Sequence, residues 1–168
     1  MFASGRTAHR ALTGLFASVL AAGLTSPALA KDRTSAGRPF SDAKLTLFSQ
    51  QTDEGPDEVV PAGGTIPYKV GTSCYNWRLD FVPFNDLADV DEVLTLPSPA
   101  QHWVSDASTQ VNAHRTAGRT RLTVDGRGGM LKHGWCVASG DPVGIYRYDL
   151  YAGTRQIGSV SFRIGKTK

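Results

Sequence analysis

From residue 31 to the C-terminus no segment sustains a helical period. Short runs that alternate apolar and polar residues recur instead, about every ten residues, and Gly and Pro separate them. Side chains on a strand point alternately to its two faces, so such runs bury one face and wet the other. Many short strands at this spacing, punctuated by turn residues, favour an all-β antiparallel sandwich or barrel of seven or eight strands. The pattern is clearest at the end of the chain. Residues 145–151, the turn Ala152-Gly153 and residues 156–164 read as a hairpin. In its second strand Val160, Phe162 and Ile164 point one way and Ser161 and Arg163 the other. In its first strand both faces carry large side chains, so that strand is expected to be central.

Further strands are expected at 43–51, 65–70, 73–82, 93–96, 102–104, 110–114, 120–124 and 130–138. Residues 51–64 and 83–91 are acidic or rich in Gly and Pro and read as connections. Pro97 and Pro99 remove ladder donors just after 93–96, which makes that run an edge strand or its end.

The first thirty residues read as an address. Arg6 and Arg10 precede an apolar run over 11–24, and Thr-Ser-Pro-Ala-Leu-Ala ends at Ala30. A positive start, an apolar middle and a small-residue exit make a secretory signal peptide. The run is too short for a membrane span. The expected organisation is a signal peptide over 1–30, a flexible lead-in over 31–42 and one β-sandwich domain over 43–168, in the periplasm or outside the cell. Losing the signal leaves 16 basic and 15 acidic residues, a net of +1. The basic isoelectric point therefore gives no support for a nucleic-acid partner. The charge is unevenly placed: 42–106 holds 11 acids and 3 bases, 115–168 holds 10 bases and 3 acids. The two halves of one fold interleaving, and neutralising each other, accounts for this most simply.

Cys74 and Cys136 are the two cysteines. An even count in an oxidising compartment favours a disulfide between an early and a late strand. Trp77 and Trp135, each near a Cys, are expected to pack the core around it.

Chemistry is sparse. His102, His114 and His133 lack the close pair that zinc sites use. Asp86, Asp89, Asp91 and Glu92 lack the spacing of a calcium loop. Asp125-Gly-Arg-Gly-Gly fails the dinucleotide pattern at Leu131 and reads as a turn. Neither a Gly-x-Ser-x-Gly elbow nor His-Glu-x-x-His occurs. No catalytic residue, metal site or cofactor is expected. Three residues are candidates for ligand binding. Arg119 and Arg121 share a strand face and place two guanidinium groups side by side, suited to an acidic glycan or acidic protein. Trp103, following the two prolines, is the best placed aromatic for stacking on a sugar. Tyr146, Tyr148 and Tyr151 suit a core better.

Two stretches carry a resemblance: Ile66-Pro-Tyr-Lys-Val-Gly-Thr72 ahead of Cys74, and Pro142-Val-Gly-Ile-Tyr146 followed by Leu150-Tyr-Ala-Gly153 and Ser161-Phe-Arg-Ile164. They resemble a bacterial family of secreted domains of unknown function. The resemblance implies an immunoglobulin-like sandwich ending in such a hairpin, and no activity. The expected function is an extracytoplasmic binding module for a protein or envelope glycan. The alternatives are a small secreted enzyme acting on envelope glycans or esters, and a self-associating structural domain. The sequence leaves the oligomeric state open.

Overall fold

The computed structural model describes residues 38–51 and 56–166. The expected signal peptide and the lead-in as far as residue 37 lie outside the described residues. Ten strands form two sheets. The first sheet holds β1 (Lys44–Gln50), β2 (Glu58–Val60), β4 (Cys74–Asp80) and β8 (Met130–Cys136), in the order β2-β1-β4-β8. The second holds β3 (Thr65–Pro67), β5 (Leu87–Thr95), β6 (Thr109–Val111), β7 (Ala117–Asp125), β9 (Gly144–Ala152) and β10 (Arg155–Gly165), in the order β3-β10-β9-β5-β7-β6. All pairings are antiparallel except β3 with β10. The architecture is an all-β sandwich.

Alternation decides which side chains meet between the sheets. In β4, Tyr75, Trp77 and Leu79 are buried, while Asn76, Arg78 and Asp80 lie on the outer side. In β9 the inward set is Tyr146, Tyr148 and Leu150, each fully buried. Tyr75 meets Tyr146, Tyr148 and Phe162 across the sandwich at ring-centroid distances of 5.3–6.2 Å. Burying an apolar side chain of this kind contributes about 1.5–3 kcal/mol, so these rings dominate the core. The two β9 hydroxyls are satisfied from the backbone: Tyr146 donates to Pro142 O at 2.6 Å and Tyr148 to Tyr75 O at 3.2 Å.

Several expectations are corrected. The acidic stretch 83–91 is not a connection throughout. Residues 87–95 form one nine-residue strand, and β5 sits between β7 and β9 rather than at an edge. The prolines end β5 without exposing it. Residues 102–104 are irregular, and a short strand, β2, stands within the expected loop 51–64. The end of the lead-in joins the core, where Phe40 is buried against Phe81 and Phe84, edge to face at 4.9 and 5.4 Å. The C-terminal hairpin and the central place of β9 are as expected. The Cys74–Cys136 disulfide is present. It joins an early strand to a late one, but these are neighbours in one sheet, paired directly opposite each other. Both cysteines fall on the outward parity of their strands, so the bridge fastens β8 to β4 and does not span the sandwich.

Candidate functional site

The alternation of β5 places Val90, Glu92 and Leu94 inward, and Glu92 is 1% exposed. A carboxylate there requires donors, because an unpaired charge in the core costs many kcal/mol. Three side chains supply them. Trp77 Nε1–H donates to Oε2 at 2.5 Å, Trp135 Nε1–H to Oε1 at 2.8 Å, and His133 Nδ1 lies 2.7 Å from Oε2. Trp77 comes from β4, and His133 and Trp135 occupy inward positions of β8. The two tryptophans thus gather on Glu92, not on the disulfide. Since indole can only donate, a carboxylate fixes both rings in orientation.

Trp135 is then one wall of a hollow. Tyr75, Leu94, Leu96, His102, Trp103 and Asp141 are among its other lining residues, and its volume is about 180 Å³. Trp103 meets Trp135 edge to face, with centroids 6.2 Å apart. It is half-buried and rests on β7 at Gly118, where a Cβ would lie 2.4 Å from its ring. Only glycine there lets the indole approach the sheet so closely. The rim is polar. Asp141 accepts from the Ala138 N–H at 2.8 Å, and burial raises its carboxyl above the usual range. Burial, and then the Asp141 charge, also hold the Tyr75 hydroxyl well above its ordinary value, so it stays protonated. Aromatic residues, Tyr75 and the carboxyl-bearing Asp141 all line the hollow.

The other two candidates lie elsewhere. Arg119 and Arg121 do share a face of β7, the outer one, opposite to that on which Trp103 rests. Both bond Asp91 of β5: Arg119 Nη2 at 2.7 Å and Arg121 Nε at 3.2 Å. The acidic and basic halves of the chain do pair, here and at Lys132–Asp57. Asp91 and Glu92, read together as part of one acidic loop, point to opposite faces of one strand. His102 lines the hollow, His133 holds Glu92, and His114 is exposed in a turn. Ser41 and Lys44 have the Ser-x-x-Lys spacing; both are exposed, and Ser41 Oγ donates to Asp42 at 3.3 Å. Tyr146 and Tyr148 are core residues. The sequence reading missed Glu92, Tyr75 and Asp141. The signal for Glu92 is the run Val90-Asp-Glu-Val-Leu94, in which a glutamate takes an inward place between two aliphatics.

A family model described as the PM0630 beta sandwich domain matches residues 43–165. Comparison with the curated proteins finds no match. Among solved structures, an immunoglobulin-like protein (PA1606) from Pseudomonas aeruginosa shares the fold with a TM-score of 0.50. It is 9% identical, and the alignment covers 76% of this chain and 99% of that one. Among the described residues no helix is long and apolar enough to cross a membrane.

Proposed function

The chain belongs to the PM0630 beta sandwich domain family, an immunoglobulin-like fold, and from that premise we propose that it is a non-catalytic binding module of the extracytoplasmic space. Its ligand is an envelope glycan, one ring of which enters the hollow that Trp103 and Trp135 line and packs against their exposed faces. The observation that carries this reading is that both indoles are fixed before any ligand arrives, one by Glu92 and one by its seat on Gly118. Preorganised aromatic walls lower the ordering cost of binding. A sugar ring presents an apolar C–H face beside hydroxyls, and the hollow is lined by aromatic residues together with Tyr75 and Asp141. Among the described residues, the buried carboxylate that bonds a histidine, Glu92, is taken up by two indole N–H groups, which favours binding over catalysis. The N-terminal thirty residues and the disulfide support secretion to an oxidising compartment.

Titration with the N-acetylglucosamine trimer, followed by tryptophan fluorescence, tests the reading. A saturable change that Trp103→Ala abolishes is expected. An equal response in Trp103→Ala, or no response to this trimer, overturns it.

A further inference from the structure

The outer face of the second sheet carries two carboxylates that are nearly equally buried and are held in different ways. Asp149 bonds one arginine, Arg147 Nε at 2.7 Å, and two neutral donors, Gln156 and Ser159, each at 2.8 Å. Asp91 bonds two arginines, Arg119 and Arg121. Their side chains are 53% and 63% exposed against 7% for Asp91. Arg119 already makes the shorter bond to this buried carboxylate, and Arg121 adds a longer one from a more exposed side chain. What it does add is a second guanidinium beside one buried carboxylate, on a face where the other nearby β5 carboxylate, Asp89, is bonded by Thr123.

A guanidinium has five N–H donors. Among the described residues each of these arginines shows a side-chain bond from one nitrogen only, to Asp91. The remaining donors border a hollow of about 220 Å³ lined by Asp91, Ala107, Ser108, Gln110, Arg119 and Arg121. The neighbouring Asp106 is engaged by the N–H groups of Ser108 and Thr109 at 2.8 and 2.7 Å and by the Ser108 hydroxyl at 2.9 Å. A second, shallower depression shares Gln110 and Arg119 and continues over Val93, Val111 and Ala117. The furrow therefore has a cationic end and an apolar end.

We propose that this furrow is a second binding site, for an acidic sugar. Its carboxylate or phosphate bridges Arg119 and Arg121, Gln110 bonds a hydroxyl, and the ring lies toward Val93 and Ala117. Two guanidinium groups side by side on one strand face suit an oxyanion better than a lysine pair would. The site lies on the opposite side of the sheet from the aromatic hollow and stands independently of it.

The test follows the arginine Nε–H resonances of the labelled full chain at low salt. The probes are glucuronate, glucose 6-phosphate, glucose and inorganic phosphate. Saturable shifts confined to Arg119 and Arg121, with either acidic sugar and not with glucose, are expected. Inorganic phosphate should bind several-fold more weakly, and the stronger acidic sugar tells carboxylate from phosphate. Arg121→Gln leaves Asp91 paired with Arg119, so folding survives, and should weaken binding about tenfold or more. Arg147→Gln and Trp103→Ala should leave it unchanged. No saturable shift with either acidic sugar overturns the proposal. So does a response shared by Arg147 and Arg163, or inorganic phosphate binding as tightly as the sugars, which would mean an adventitious ion only.

Discussion

At Glu92 and Asp91, adjacent residues of one strand carry the same chemistry to opposite fates. Glu92 turns inward and is enclosed by two indole N–H groups and His133. Replacing it with Leu leaves those donors buried without an acceptor, so Glu92→Leu should cost about 3–5 kcal/mol. Glu92→Gln, which keeps one acceptor oxygen, should cost less, about 1–3 kcal/mol. Urea unfolding measures both. A loss below about 1 kcal/mol in the Leu variant would mean that the indoles are not held by this carboxylate. Asp91 turns outward. Its hydrogen bond from Arg119 first, then that from Arg121 and the two positive charges, outweigh burial and lower its carboxyl from the ordinary value. A carboxyl lowered in the folded state adds stability that is present above its unfolded value, about 3.9, and is lost as pH falls through the folded one. Asp91→Asn should therefore be less stable than the native chain at pH 7 and lose less on acidification below about pH 4. Parallel stability curves for the two proteins would contradict this.

At the scale of elements, β8 is the edge strand of the smaller sheet and supplies two of the three donors to Glu92. The disulfide closes a loop with a sequence separation of 62 and ties β8 to β4. Cys74→Ala with Cys136→Ala should lower stability by about 2–4 kcal/mol, with β8 amides the first to gain hydrogen exchange. Unchanged stability would show that the β4 ladder alone holds the strand. Gly118 plays a different part. A methyl there displaces Trp103, so Gly118→Ala should red-shift tryptophan emission and cost about 1–3 kcal/mol. Unchanged emission would show that the indole does not rest on Gly118. Elements with clean alternation and turn residues at both ends, such as the C-terminal hairpin, were legible in the sequence. The first part of β5 was not, because its outward Asp89 and Asp91 and its inward Glu92 mask the alternation and mimic a polar loop. Nor was the aromatic hollow. It joins Tyr75, Trp103, Trp135 and Asp141 from four segments, and no local spacing announces such a meeting. Arg119 and Arg121 sharing one face could be read, because one strand fixes it.

Across the whole molecule, the uneven charge resolves into internal pairing. β5, from the acidic half, lies between β7 and β9 of the basic half. Arg119 and Arg121 meet Asp91, and Lys132 meets Asp57. The candidate surfaces that remain are the hollow beside β8 and the furrow over β7, on opposite sides of one sheet. The central claim is that the hollow holds a sugar ring against the two indoles that line it. The chain has three tryptophans, so its indole N–H resonances form a three-signal reporter. Titration with the N-acetylglucosamine trimer should move the signals of Trp103 and Trp135 together and saturably, leaving that of fully buried Trp77 in place. Three unmoved signals, or movement at Trp77 alone, would contradict the account.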